Sequence, residues 1–301
     1  FPSLCATMAQ TETLTHIPRR TAMLLIELLK AVLFGLVQGI TEWLPISSTG
    51  HLIIVNEFLK LKASDAFVEM FNVVIQLGAI LAVIVLYFKR LWPIDKKKDS
   101  KGLEWNKDKL ILWAKILVAC VPAGIIGILF DDKIDEIFYN PYVVSVTLII
   151  YGVAFILIEI RNRNKEFKIT DVKAMTFKTA LIIGLFQVLA LIPGTSRSGA
   201  TIVGAMLIGT SRTAAAEFTF FLAIPVMAGA SLVKILKFVS DGTGFTQNEL
   251  YMLLIGMLVA YLVSMLVIKF LMSYIRKHDF KPFGVYRIIL GIAVLLYFTL
   301  S

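Results

Sequence analysis

The chain has 301 residues, of which 58% are hydrophobic, with a mean hydropathy of +0.81 and a formal net charge of +9. A soluble domain of this size does not need so apolar a composition, so we expect a polytopic membrane protein. Its basic residues gather in alternate loops without aromatic interleaving, which excludes a nucleic-acid partner. The two cysteines lie far apart and predict no disulfide framework.

The first predicted element follows residues 1–22, a polar segment that we exclude from the fold as a tag or non-native leader. Two apolar pieces, Leu24–Leu44 and Leu52–Leu61, then flank a polar loop. Because the second piece is shorter than the about 20 residues of a span, we expect a re-entrant helix pair. The alternative is a full span followed by an interfacial helix. Small residues that let another helix approach closely recur along the first piece: Ala31, Gly35 and Gly39.

Six later segments are long enough to be full spans: Phe67–Leu91, Leu110–Phe130, Pro141–Ile160, Ala214–Phe238, Leu250–Met272 and Pro282–Leu300. A second re-entrant pair is predicted at Thr179–Gly209. The loops after the first, third and fifth spans are basic, so we place them in the cytoplasm and both termini outside. The predicted fold class is an all-α polytopic membrane protein with six full transmembrane helices and two re-entrant helix pairs.

An internal repeat relates the two re-entrant stretches, Gly35–His51 and Gly184–Ile202. A shift of 149 positions aligns their glycines, glutamines and serines, including Gln38 with Gln187. Each half holds one re-entrant pair and three spans, and an odd number of spans makes the second half inverted. We therefore predict two inverted halves, 23–161 and 162–301, whose loop tips meet near the membrane midplane.

The first copy of the repeat, Gly35–His51, contains Gln38 and Glu42, which share one face of a helix. Ser48 and His51 follow them. An acidic group deep in a membrane costs about 2.5–3.5 kcal/mol on insertion scales and usually faces a protein or water cavity. A carboxylate, a hydroxyl and an imidazole are an acid–base and nucleophile set. The alternatives are an interfacial Glu42, a capping His51 and a Ser48 hydroxyl bound to backbone.

The second copy of the repeat, Gly184–Ile202, contains Arg197 among serines, threonines and glycines. A guanidinium beside hydroxyls and helix N-terminal N–H groups is suited to binding phosphate. The alternative for Arg197 is a surface arginine that extends to the interface. Near the start of the last span, Arg287 is a candidate either for anchoring the fold or for contacting phosphate.

These motifs resemble those of the undecaprenyl pyrophosphate phosphatases of the bacitracin-resistance family. The resemblance extends from Met23 to the C-terminus and depends on four motifs: Gln38-x-x-x-Glu42, Pro45–His51, PGTSRSGAT at Pro193–Thr201 and PFGVYR at Pro282–Arg287. It implies hydrolysis of undecaprenyl diphosphate to undecaprenyl phosphate, which recycles the cell-wall lipid carrier, at the outer face of a bacterial plasma membrane. It also leaves open a homodimer.

Carried over by motif, the resemblance implies four catalytic residues: Glu42, Ser48, His51 and Arg197. The residues implied to bind substrate are Gln38, Ser47, Thr49, Gly194, Ser196, Ser198 and Thr201. Family members carry Glu or Gln at the position of Gln38 and are described as needing a divalent cation. With a single carboxylate, Mg²⁺ or Ca²⁺ would be held mainly by Glu42, waters and substrate oxygens.

The attacking group remains open among Ser48, His51 and water; Ser48 is favoured, with His51 as base or leaving-group acid. The type-2 phosphatidic acid phosphatases are a rival family, but they require a histidine after the Ser-Arg pair. This chain has only His16, His51 and His278, and none of them follows Arg197 within the second re-entrant pair. A polyprenyl-phosphate flippase is the other alternative, since inverted repeats with broken helices are typical of transporters.

Overall fold

The computed structural model of this chain describes residues 19–96, 102–138, 140–240, 242 and 244–300. Most of the predicted leader, residues 1–18, lies outside this part; the first helix begins at Arg19, within the excluded segment. The described residues form twelve α-helices: α1 Arg19–Thr41, α2 Ser48–Phe58, α3 Asp65–Val74, α4 Gln76–Leu86, α5 Phe88–Leu91, α6 Lys107–Phe138, α7 Pro141–Asn162, α8 Phe177–Val188, α9 Arg197–Leu207, α10 Arg212–Ser240, α11 Gln247–Tyr274 and α12 Lys281–Leu300.

Seven helical segments of the described chain are long and apolar enough to cross a membrane. Six of them correspond to the predicted spans: α3 with α4, then α6, α7, α10, α11 and α12. The seventh lies in α1, at Thr21–Thr41, which the sequence assigned to a re-entrant pair. The helix before the second tip, Phe177–Leu191, is shorter. The prediction of an all-α polytopic membrane protein is therefore confirmed at the level of its class.

The predicted boundaries are wrong at three places. The first predicted span is broken at Ile75, between α3 and α4. The basic loop after it contains a short antiparallel hairpin of β1, Ile94–Lys96, and β2, Leu103–Trp105. Helix α6 continues through the predicted acidic loop to Phe138, because residues 131–138 contain neither glycine nor proline. It ends just before Asn140, whose side chain caps α7.

Helices α1 and α2 form a hairpin whose two open ends lie together. The backbone N–H of Lys62, beyond the end of α2, donates to Oε2 of Glu27 on α1 at 2.9 Å. Lys30 Nζ donates to the carbonyl of Lys60 at 2.7 Å. The chain therefore turns at residues 42–47 and returns to the end from which it came. Helices α8 and α9 also pack against each other across the turn at residues 189–196.

Glycines allow close approach in the two most extensive helix pairs, α1 with α11 and α7 with α12. On α1, a Cβ at Gly35 would lie 2.5 Å from the carbonyl oxygen of Gly256 on α11. On α7 and α12, a Cβ at Gly152 or at Gly284 would lie 2.6 Å from the other glycine's carbonyl oxygen. The predicted small-residue stripe on the first helix is thus confirmed, since the backbones of α1 and α11 touch where side chains are absent.

We predict that Gly35→Ala destabilises the protein by about 1–3 kcal/mol, because the added methyl overlaps backbone that cannot move alone. Gly124→Ala is the matched control, since a Cβ at Gly124 meets no atom within 4 Å. Thermal unfolding of both purified variants in one detergent checks the prediction. A Gly35→Ala variant as stable as Gly124→Ala would contradict the tight α1–α11 contact.

Candidate active site

The first tip begins where α1 ends. Glu42 continues the last turn of α1, since its N–H donates to the carbonyl of Gln38 at 3.0 Å. Helix α2 begins at Ser48, and Ser47 caps it by accepting from the N–H of Gly50. Ser48 and His51 were expected in an extended loop; they lie instead in the first turn of α2. This tighter turn keeps Ser48 within reach of Glu42.

The second tip has the same local conformation. Ser196 caps α9 by accepting from the N–H of Gly199, as Ser47 does at Gly50. Both capping serines have positive φ, 75° at Ser47 and 70° at Ser196, and no other described residue except glycine does. Non-glycine residues in this region carry about 1–3 kcal/mol of strain and cluster at functional sites. The strain thus occurs at the same position of both sequence copies.

Glu42 collects groups from both tips. Its Oε2 accepts from the hydroxyl of Ser48 at 2.7 Å and from Nε2 of Gln38 at 3.0 Å. Its Oε1 accepts from Nη2 of Arg197 at 3.1 Å. Its backbone carbonyl accepts from the hydroxyl of Ser198 at 3.3 Å. We call these five residues the Glu42 cluster; it brings together the predicted carboxylate, hydroxyl and guanidinium.

The charged pair in the cluster is largely removed from solvent. The side chain of Glu42 is 4% exposed and that of Arg197 is 11% exposed. Arg197 also donates through Nη1 to the carbonyl of Thr219 on α10 at 2.8 Å. The hydroxyl of Thr219 bonds that of Thr201 at 2.8 Å, which ties α9 to α10. Since removing one member of a buried ion pair is strongly destabilising, Glu42 and Arg197 hold the tips together as well as carrying charge.

His51 lies beside the cluster but is oriented away from Ser48. Its Nδ1 bonds the carbonyl of Ser47 at 2.7 Å, and its Nε2 bonds the hydroxyl of Tyr286 on α12 at 2.7 Å. A carbonyl only accepts, so Nδ1 carries the proton, and in the neutral ring Nε2 accepts from the phenol. The expected Ser48–His51 pairing is replaced by a Ser48–Glu42 pairing. Tyr286 was noted only within the motif of the last span, and its contact with His51 had no sequence signal.

Arg287 anchors both tips. Its fully buried guanidinium donates to carbonyls of Pro45 at 3.1 Å, Gly194 at 2.8 Å and Thr195 at 3.0 Å. Its Nε donates to the carbonyl of Leu148 on α7 at 3.4 Å. The first of these carbonyls belongs to tip one and the next two to tip two. Of the two roles left open by the sequence, the structure gives Arg287 the anchoring one.

The remaining predicted binding residues are arranged around the turns. Thr49 is exposed, whereas Ser47, Ser198 and Thr201 are buried. Gly194 has φ +86°, and a Cβ there would lie 2.7 Å from the carbonyl of Val144. Its carbonyl is bound by Arg287, so this glycine is required by the backbone of the turn. Thr147 was missed by sequence reasoning; its hydroxyl donates to the carbonyl of Pro193 at 2.8 Å.

A divalent cation needs oxygen donors, and the cluster contains a small number of them. No group of three or more His, Cys, Asp or Glu residues within the described ranges could hold a metal. However, Oε1 of Gln38 is a buried acceptor with no partner in the described chain, beside the carboxylate of Glu42. One carboxylate and one amide oxygen are compatible with a cation that is bound mainly through substrate oxygens.

Comparison with known proteins supports the motif-based resemblance. The family model described as bacitracin resistance protein BacA matches residues 31–293, which include both tips and Arg287. The chain is 58% identical over 279 residues to the undecaprenyl-diphosphatase of Enterococcus faecalis (strain ATCC 700802 / V583), covering 93% of this chain and 100% of that protein. It is 59% identical over 276 residues to undecaprenyl-diphosphatase 1 of Clostridium acetobutylicum, covering 91% and 98%. For the undecaprenyl-diphosphatase of Streptococcus thermophilus, the identity is 55% over 280 residues, covering 92% and 96%.

We predict that Arg287→Lys lowers the unfolding temperature markedly. A single ammonium cannot reach carbonyls in three separate segments, and each buried acceptor left without a donor costs about 1–3 kcal/mol. Arg163→Lys, an exposed substitution just after α7, is the matched control and should unfold with the parent protein. Equal unfolding temperatures for the two variants would exclude the anchoring role of Arg287.

Proposed function

Because the chain belongs to the bacitracin resistance protein BacA family, we propose that it hydrolyses undecaprenyl diphosphate to undecaprenyl phosphate and inorganic phosphate. The observation that carries this function is the carboxylate of Glu42, which bonds the Ser48 hydroxyl of one tip and the Arg197 guanidinium of the other. A nucleophile, its base and a phosphate-binding cation are therefore in contact.

Ser48 is the proposed nucleophile, and Glu42 is its base. Their 2.7 Å hydrogen bond is within the reach that proton transfer requires. Oγ of Ser48 forms a bond to the terminal phosphorus, its proton passes to Glu42, and the bridging P–O bond breaks to release undecaprenyl phosphate. Glu42 releases this proton to solvent, and water then cleaves the phosphoserine: Glu42 accepts a proton from that water and returns it to Oγ of Ser48 as inorganic phosphate leaves. The proposed base is therefore Glu42, whereas the sequence favoured His51.

Arg197 and the helix starts are the proposed diphosphate cradle. Helices α2 and α9 both begin at the tips, and helix N-termini direct N–H groups and a positive dipole end toward anions. Nε of Arg197 is a buried donor without a partner among described residues. Arg197 can therefore keep its bond to Glu42 while donating to a phosphate oxygen. This geometry stabilises the charge that accumulates as the phosphoryl group transfers.

His51 and Tyr286 supply a second proton path. Since Nε2 of His51 is bonded to the hydroxyl of Tyr286, a protonated His51 can donate to the Tyr286 oxygen while the phenol passes its own proton on. In the proposed reaction this proton goes to the departing undecaprenyl phosphate. A divalent cation, Mg²⁺ or Ca²⁺, would be held by Glu42 and by Oε1 of Gln38, and would neutralise diphosphate charge when bound.

The apolar chain of the substrate requires a hydrophobic surface next to this site. A groove of about 190 Å³ lies between α2 and α12, and its lining is apolar apart from Glu57: Ile54, Phe58, Leu290, Ala293, Val294, Tyr297 and Phe298. It lies on the helix faces that continue from the contact between His51 and Tyr286. A polyprenyl chain in this groove would keep its diphosphate at the tips and its isoprene units among apolar side chains.

The proposed topology keeps α1–α2 and α8–α9 as re-entrant pairs in inverted halves, with six full spans. Its support is the hairpin in which Glu27 on α1 contacts Lys62 beyond α2, because both ends must then lie on one side of the membrane. The basic ends of α7 and α11 are placed in the cytoplasm. The tips then open to the outer face of the bacterial plasma membrane.

Phosphate release from undecaprenyl diphosphate by the purified protein in detergent tests the function. We predict that Ser48→Ala, Glu42→Gln and Arg197→Gln each lower turnover about a hundredfold or more, the scale of lost base or charge-stabilising groups. Ser240→Ala, an exposed serine at the end of α10, is the control and should retain the parent rate. Rapid quench should trap a phosphoserine at Ser48.

The outcomes separate the remaining alternatives. Substantial turnover in Ser48→Ala would exclude serine attack and leave an activated water, and trapped phosphate on His51 would exchange the two roles. Transfer of polyprenyl phosphate across vesicles without any phosphate release would favour the flippase. Near-parent turnover in both Glu42→Gln and Arg197→Gln would overturn the site itself.

Thiol labelling in intact cells tests the proposed orientation. We predict that single cysteines at Lys62 and Gln247 react with a membrane-impermeant reagent added outside, whereas those at Arg163 and Lys277 react only after lysis. All four positions are exposed. The native Cys5 and Cys120 are replaced first, and this background is the unlabelled control. Labelling at Arg163 with protection at Lys62 would invert the orientation.

A further inference from the structure

A pocket of about 280 Å³ lies between the end of α4 and the last turns of α11, away from the Glu42 cluster. We call it the α4–α11 pocket; its lining includes Tyr87, Ile268, Lys269, Met272, Ser273 and Arg276. Nothing in the proposed reaction uses these residues. The pocket is nevertheless built from two positive charges, two hydroxyls and an apolar wall.

The polar lining follows one helical face. Lys269, Ser273 and Arg276 are spaced by four and three positions, so their side chains lie along the same side of α11 and the turn after it. Tyr87 faces them from the end of α4. Burial raises the pKa of Tyr87, while the positive charges of Arg90 and Arg276 act in the opposite direction. The phenol therefore remains a hydrogen-bond donor at neutral pH.

The two cations of the pocket are not neutralised by any acidic residue in the described part of the chain. Neither Lys269 nor Arg276 forms an ion pair with any residue that the structure describes. Neighbouring Arg90 does pair, with Asp171 and Glu217. These two carboxylates are thus already engaged by another cation. The pocket keeps a local charge of about two positive units, which favours an anion.

The rest of the lining is apolar and continues into the membrane-facing surface. Ile268 is buried at the base of the pocket, and Met272 packs against the same core. On the outside of the helix, Leu266 and Phe270 are 70% and 57% exposed on either side of Lys269. A lysine surrounded by such residues buries its aliphatic stem and extends its charge to the membrane interface. The ligand is therefore expected to be amphiphilic.

We propose that the α4–α11 pocket binds the phosphate headgroup of an anionic glycerophospholipid. Lys269 and Arg276 pair with the phosphate, Tyr87 and Ser273 donate to its oxygens, and an acyl chain lies along the apolar side. Basic pockets between membrane helices at the cytoplasmic side are suited to such headgroups. A free phosphate would satisfy the cations but would leave the apolar wall unused.

Lipid binding to the purified, delipidated protein tests this site. Phosphatidylglycerol and phosphatidylcholine with the same acyl chains are titrated in detergent, and bound lipid is counted by native mass spectrometry. We expect the parent protein to bind phosphatidylglycerol about thirtyfold more tightly than phosphatidylcholine, because about 1 kcal/mol for each of the two cations sums to about 2 kcal/mol. Lys269→Gln combined with Arg276→Gln should remove this preference.

Two controls make the result decisive. Arg163→Gln combined with Lys277→Gln removes the same charge from exposed positions outside the pocket and should keep the preference. Lys269→Arg should also keep it, and phosphate release should be unchanged in all these variants. A preference that survives in the Lys269–Arg276 double variant, or that is lost equally in the control, overturns the proposal. Competition by inorganic phosphate at the concentration of the lipid would identify a free-anion site and exclude the lipid.

Discussion

The structure depends on satisfying backbone carbonyls where two helix pairs are interrupted inside an apolar protein. A carbonyl at such a tip has no helical partner, and burying it without a donor is costly. Arg287 meets this need with one side chain that donates to Pro45 in the first tip and to Gly194 and Thr195 in the second. Its charge is balanced by carbonyl dipoles and by the ring of Tyr151, 5.5 Å away. Arg287 thus joins the two tips through their backbone carbonyls, without any contact to Glu42, Ser48 or Arg197 side chains in these bonds.

The side chains of the tips add a second connection to this backbone anchoring. Arg197 does not have to stabilise the turn, so it can be directed at Glu42 and Thr219. The oxygens of Glu42, at 4% exposure, are satisfied by two neutral donors and one cation. The strained φ of the capping serines is maintained by the same enforced geometry.

Six of the seven long apolar segments, and the five residues of the Glu42 cluster, could be named from the sequence, but the way these residues pair could not. Apolar length predicts spans because lipid permits few other structures, and the repeat predicts that Glu42 and Arg197 lie near each other. It could not predict the partner of His51, since Tyr286 lies 235 positions away and its contact depends on how α12 packs. The hairpin β1–β2 was also missed: it is held by Asp95 contacts to Asn106 and Lys109, which carry no periodic signal.

The two copies resemble each other in backbone and differ in chemistry, and this difference produces a single site. The shift of 149 positions places Leu191 where copy one has Glu42, Ala200 where it has His51, and Arg197 where it has Ser48. Gln187, the equivalent of Gln38, is buried with both amide atoms unpartnered among described residues, because the carboxylate that its counterpart binds is absent there. With the acid in one copy and the cation in the other, Ser48 and Arg197 reach the same carboxylate from equivalent positions, so neither half can form the site alone.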